Sequence, residues 1–219
     1  MKGFPVVFDI SGKSVVVVGA GSVATRRIDP LIRGGAAVIV VAPMASEKIR
    51  HRAQRGDLQW EQRAFEKGDL DGATLALATT DDGEINQMVA RRARERKIPV
   101  GVADDPSRGD FAIPARVEFD HLRLTVDTGG AGPAISAALR RHLEKTLSPG
   151  WQRGARLARE IRPLIASRKK GNITEFWRAF AAALPGACEG EAEAIATWIE
   201  DLATRHGVDL DGIDIASSL

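Results

Sequence analysis

The residues best suited to chemistry lie at the ends of apolar runs. Val18-Gly19-Ala20-Gly21-Ser22-Val23-Ala24 is a G-x-G-x-x-A loop between a β-branched run and a helix-like stretch. In that context Gly19 permits a tight turn, Gly21 leaves room for a pyrophosphate, and the small Ala24 lets helix and strand pack closely. Amides at the helix N-terminus then hold the phosphates. The alternative is a tight turn with a structural role only. About 20 residues on, Val40-Val41-Ala42-Pro43-Met44 offers no Asp or Glu for an adenine ribose and no Arg for a 2′-phosphate. The preferred coenzyme is therefore NAD, with the ribose held by backbone groups of Pro43 and Met44. Thr79 and Thr80, in Ala78-Thr79-Thr80-Asp81-Asp82, end another apolar run at the edge where ligands of open α/β sheets collect. They are placed to touch a cofactor, whereas Asp81 or Asp82 suits the cap of the next helix. Ala103-Asp104-Asp105-Pro106 sets two carboxylates at the end of a further run. A carboxylate beside an apolar ligand can act as a general base, although Asp-Asp-Pro is equally ordinary turn chemistry.

These turns need elements to position them. Ser14–Val18, Ala37–Val41, Leu58–Glu61, Thr74–Thr79 and Ile98–Ala103 read as strands, the first a continuous β-branched run buried on both faces. Between them, 21–33, 46–56 (capped by Ser46) and 82–97 read as helices. The alternation implies right-handed βαβ units, hence an α/β fold with a Rossmann-type doubly wound parallel sheet. The rhythm ends near residue 113. A hairpin follows, Val117–Phe119 and Leu122–Val126 around Asp120-His121, then a helix over 134–147. Ser148-Pro149-Gly150 reads as a hinge, and 151–168, 173–184 and 190–205 as helices. The expected domains are a nucleotide-binding domain over 1–113, a small α+β dimerisation segment over 114–149, and a C-terminal helical domain over 150–219.

Composition narrows the function. With 31 Lys and Arg against 29 Asp and Glu, the net charge is only +2. That balance, and the absence of a pattern of interleaved aromatics in the basic segment, count against a nucleic-acid partner. No run approaches the ~18 apolar residues of a membrane span, so no membrane partner is expected. The start lacks the pattern of a signal peptide. A single cysteine, Cys188, excludes an internal disulfide and fits a reducing cytoplasm. There is no tyrosine, which removes any mechanism that needs a tyrosine acid. No His-Glu-x-x-His and no His/Cys cluster offers a metal cage, and no metal ligand is assigned. Charge is unevenly spread: residues 138–170 are strongly basic and 187–219 strongly acidic. This points to an anionic partner, or to one segment packing on the other.

The ordered set of motifs resembles one family. Gly19 to Ala24 with Arg26-Arg27, Ala78 to Asp82 with Asn86, Ala103 to Pro106, Asp110-Phe111-Ala112-Ile113-Pro114-Ala115, and Gly129-Gly130 with Pro133 resemble the siroheme synthase N-terminal, or precorrin-2 dehydrogenase, family. The likeness covers residues 4 to about 147 well and the helical remainder more loosely. It implies a cytoplasmic homodimer that oxidises precorrin-2 to sirohydrochlorin with NAD⁺, in some members also inserting ferrous iron. It further implies that Ser22 and Val23 contact the phosphates, that Pro43 and Met44 flank the ribose, and that Asp104 is catalytic. The chain departs from the family pattern at Gly101, where Asn is frequent, and at Ala131 and Gly132, where Ser is frequent. Precorrin-2 carries eight carboxylates, so its pocket needs cations. Arg140 and Arg141 can grip them bidentately, with His142 beside them. A dinucleotide-sensing module without catalysis is the alternative, but such modules usually keep the acid that is missing after the second strand.

Overall fold

The computed structural model describes residues 3–119 and 122–218, and the chain divides into two compact units after Ile113. Asp120 and His121, where the sequence predicts a turn, lie outside the described residues.

In the first unit, β1 (Ser14–Val18), β2 (Ala37–Val41), β3 (Gln59–Glu61), β4 (Leu75–Ala78) and β5 (Val100–Val102) form one all-parallel sheet in the order β3-β2-β1-β4-β5. The valine run explains why β1 is central. Its side chains alternate between faces, so both must be apolar if both are covered. Val15 and Val17 join a cluster with Ala24, Ile28 and Leu31 of α1 (Ser22–Arg33) and Ile49 of α2 (Glu47–Gln54). Val16 and Val18 meet Val89, Ala90 and Ala93 of α3 (Gly83–Glu95) on the opposite face. The sheet is thus doubly wound, and the chain reverses direction across it between β1 and β4, where α/β sheets bind ligands at their carboxyl edge.

Two local expectations change. Ser46 does stand at the N-cap of α2, but its side chain makes no cap bond there; its Oγ lies 3.0 Å from Thr25 Oγ1, tying α2 to α1. Ser148-Pro149-Gly150 is not a hinge but the start of α5 (Pro149–Arg168). The Ser148 hydroxyl accepts from the Gly150 amide at 3.1 Å, proline suits a first helical turn, and Gly150 is buried where a Cβ would strike the Pro185 carbonyl.

The second unit opens with the antiparallel hairpin β6 (Ala115–Phe119) and β7 (Leu122–Val126), followed by α4 (Pro133–Thr146). Then α5, α6 (Ile173–Ala183) and α7 (Ala192–His206) bury Leu157, Ile161, Ile165, Phe176, Phe180, Ile195 and Ile199 between them. The opposed charges of this half meet in part inside it. Arg168 pairs with Asp209 at 3.0 Å, Lys170 with the same carboxylate at 3.2 Å, and Arg153 donates to the Gly190 carbonyl at 2.7 Å. Part of the basic stretch therefore packs on the acidic one. Among the described residues no helix is long and apolar enough to cross a membrane.

Candidate active site

The loop after β1 is held on both sides. The Gly19 amide donates to the Val41 carbonyl at 2.9 Å, the Ser46 amide to the Ala20 carbonyl at 3.0 Å, and the Thr79 amide to the Val18 carbonyl at 2.8 Å. Gly19 has φ +103°, and a Cβ there would lie 2.8 Å from the Thr79 carbonyl carbon and 2.9 Å from the Thr80 nitrogen. The fold itself requires this glycine. Gly21 is different: its φ of −82° is open to any residue and nothing stands within 4 Å of an added Cβ. Its missing side chain leaves free the space over the N-terminus of α1. No side chain caps that end and no acid sits in its first turn, so its first amides have no partner in the helix and the helix dipole favours an anion there. Ser22 is exposed, whereas Ala24 is fully buried against the sheet. These features fit the pyrophosphate of a dinucleotide.

At the end of β2 the Ala42 carbonyl accepts from Trp60 Nε1 at 3.0 Å. Pro43 and Met44 are exposed, Met44 at 83%. An arginine does reach this loop, from α2 rather than from the strand: Arg50 Nη1 donates to the Ala45 carbonyl at 3.1 Å. Thr79 and Thr80 point their hydroxyls inward. Thr79 Oγ1 donates to the Val18 carbonyl at 2.9 Å, and Thr80 Oγ1 lies 2.9 Å from the Asp82 carbonyl and 2.8 Å from Asn86 Oδ1. Both hydroxyls are therefore engaged within the chain, as are the amides of Thr79 and Thr80, held by the Val18 carbonyl and Asn86 Oδ1. Asp82 caps α3, its Oδ1 accepting from the Glu84 and Ile85 amides.

The two adjacent aspartates part company. Asp105 closes a 3-10 turn over Pro106–Arg108: Oδ1 accepts from the Ser107 amide and hydroxyl, and Oδ2 meets Arg108 Nε at 3.0 Å. The Ser107 hydroxyl, then its amide, and the Arg108 charge hold this carboxyl below the usual carboxylate range. Asp105 is turn chemistry. Asp104 is exposed, and its Oδ1 accepts from Asn86 Nδ2 at 2.9 Å. Asp104 is thus tied through Asn86 to Thr80, whose amide nitrogen lies against Gly19. The glycine loop and the carboxylate share one sheet edge.

Residues 6–115 match a family model described as putative NAD(P)-binding. The chain belongs to this NAD(P)-binding family. Within that family setting it is similar to curated siroheme synthases. It is 33% identical to that of Methylobacillus flagellatus over 168 residues, 77% of this chain and 36% of the relative. For Methylococcus capsulatus the figures are 33% over 214 residues, 94% of this chain and 45% of the relative. For Azotobacter vinelandii they are 35% over 165 residues, 75% and 36%. The chain spans less than half the length of these relatives. A solved structure described as SirC, precorrin-2 dehydrogenase, superposes with a TM-score of 0.75 at 25% identity, covering 92% of this chain and all of that one. The resemblance read from the ordered motifs, and the Rossmann-type fold, are borne out.

Arg140, Arg141 and His142 stand in the second unit on α4, where Arg140 pairs with Glu144 and the other two are exposed. Sequence reasoning passed over a groove in the first unit. A groove of about 660 Å³ runs along α3 past the turn after Asp105, lined by Gln87, Arg91, Arg94, Glu95, Ser107 and Arg108 among others, with Arg94 paired to Asp110 and Arg108 to Asp105. It also gave Asn86 no role, although the signal was present: an amide on a helix face otherwise formed by Val89, Ala90 and Ala93.

Proposed function

We propose that this chain is an NAD⁺-dependent precorrin-2 dehydrogenase of siroheme biosynthesis. One observation carries the reading: an exposed, hydrogen-bonded carboxylate, Asp104, shares a sheet edge with a dinucleotide-type glycine loop. Similarity to a precorrin-2 dehydrogenase along that protein's whole length supports it.

NAD⁺ supplies the acceptor for the hydride. The chain's own residues do the remaining work. Gly19 sets the turn, Gly21 leaves room, and the amides of Ser22, Val23 and Ala24 receive the pyrophosphate. Main chain at Pro43 and Met44 flanks the adenine ribose, and Thr79 and Thr80 brace the loop. Precorrin-2 loses two electrons as one hydride, together with one proton, and Asp104 takes that proton. Orientation supplies much of the rate, because conjugation already favours the product. For the substrate's carboxylates, Arg140, Arg141 and His142 of α4 are the candidate cations.

The working form is a homodimer. α4 buries none of its residues within its own chain, and Ile135 and Leu139 stand 53% and 43% exposed. Apolar side chains one helical turn apart, left bare, call for a partner surface, and a two-fold copy is the commonest. Its place is the cytoplasm, in keeping with one buried, unpaired cysteine.

The test is anaerobic turnover of precorrin-2 with NAD⁺, read as NADH absorbance, for wild type and Asp104→Asn. Loss of a general base lowers kcat by ~10²–10⁴, with NAD⁺ affinity unchanged. Undiminished turnover in Asp104→Asn removes that residue from the mechanism, and no NADH from the wild type ends the reading. Ferrous ion added to sirohydrochlorin without coenzyme tests metal insertion separately.

A further inference from the structure

Asn86 is the one fully buried polar side chain of α3 among the described residues, on a face otherwise made by Val89, Ala90 and Ala93. A buried amide is costly unless its hydrogen bonds are made, and an apolar side chain would suit that face better. Asn86 makes them all at one place. Its Oδ1 accepts from the Thr80 amide at 3.1 Å and lies 2.8 Å from Thr80 Oγ1. Its Nδ2 donates to the Thr80 carbonyl at 3.0 Å and to Asp104 Oδ1 at 2.9 Å. The Thr80 amide can only donate, so the carbonyl end of Asn86 must face it and the NH₂ end must face Asp104. The orientation is fixed by chemistry.

The N-terminus of α3 offers Asp104 little else. The amides of Glu84 and Ile85 are already held by Asp82. Asp104 Oδ2 lies over Gly83, 3.6 Å from where a Cβ of that residue would stand.

We infer that Asn86 is a positioning residue for Asp104: its amide fixes Oδ1, leaving Oδ2 as the oxygen that takes the proton from the substrate. This rests on the function proposed above. The same amide ties the carboxylate to the Thr80 main chain, and through it to the turn at Gly19. The proton acceptor is thereby held in register with the coenzyme loop by one side chain.

Asn86→Asp tests this with little change of shape. One of its oxygens still accepts from the Thr80 amide, but the other has no hydrogen to give Asp104 or the Thr80 carbonyl and repels both. Displacing a reacting group by ~1 Å costs on the order of 10²-fold in rate. The expected result is a fall of that size in kcat, with KM and the calorimetric NAD⁺ Kd within about threefold of wild type. In an Asp104→Ala background the same change costs almost nothing further, because the group it acts through is gone. Wild-type kcat in Asn86→Asp overturns the proposal, as do losses that simply multiply in the double variant. Full turnover in Asp104→Ala alone overturns the underlying assignment instead, and is seen separately. Should Asn86→Asp not fold, Asn86→Ala removes the hydrogen bond to Asp104, together with those to Thr80, without adding charge and is read the same way.

Discussion

The two glycines of the coenzyme loop make a paired experiment, because the structure gives them opposite reasons to exist. Gly19→Ala forces an L side chain to φ +103° and drives its Cβ to 2.8–2.9 Å from the Thr79 and Thr80 backbone. The backbone strain costs ~1–3 kcal/mol, and the overpacking, against atoms that cannot swing aside, a further ~1–3 kcal/mol. A sum near 4 kcal/mol lowers Tm by roughly 15 °C, at about 4 °C per kcal/mol. Gly21→Ala meets no atom within 4 Å at φ −82°. Its folding cost is that of a poorer N-cap, below ~1 kcal/mol. Its Cβ stands where the phosphates must approach, however. Losing one charge-assisted hydrogen bond costs ~1.5–3 kcal/mol, a rise in the NAD⁺ Kd of about 10- to 150-fold. Calorimetric titration and thermal melting on both variants separate the two effects. Wild-type NAD⁺ affinity in Gly21→Ala refutes the placement of the pyrophosphate; a wild-type Tm in Gly19→Ala refutes the account of the turn.

Further outcomes follow from other contacts. Burial pushes the Asp69 carboxyl up, but the Arg63 guanidinium at 2.6 Å and the Glu66 amide at 2.7 Å outweigh it and hold it below its ordinary value. A depressed folded pKa gives stability that is present above the unfolded value, near 4, and is lost as pH falls through the folded one. Urea melts should therefore show the advantage of wild type over Asp69→Asn at pH 6 shrinking by pH 3; an advantage that stays constant refutes the pairing. Leu139→Glu places a charge on the bare apolar face of α4 and should leave a monomer in sedimentation at micromolar concentration, with its far-UV spectrum intact. A dimer that survives puts the interface elsewhere.

Much of the first unit was legible because its signals are local. A valine run between glycines, a G-x-G-x-x-A turn and a first helix stopped by Gly34-Gly35 each act within a dozen residues, and the strands appear within a residue or two of where they were expected. The choice between Asp104 and Asp105 was not legible from spacing. Neighbours in sequence, they are divided by contacts that spacing does not reveal: Ser107 and Arg108 consume one, and Asn86, 18 residues upstream, holds the other. Ser46 misled for a related reason: a serine at an N-cap usually bonds its own helix, but a hydroxyl from α1 stood closer to hand.

Periodicity and turn chemistry thus determined by themselves the βαβ order, the buried faces and the glycine turn proposed to receive the dinucleotide, since a buried strand must be apolar and a tight approach must lack a Cβ. Only the tertiary structure decided the rest. It turned Thr79 and Thr80 inward, brought Arg50 back to the loop after β2, and let Asn86 bridge β4 to β5. Hydrogen bonds between residues distant in the chain depend on how strands are ordered across a sheet, and that ordering is a property of the whole packed unit.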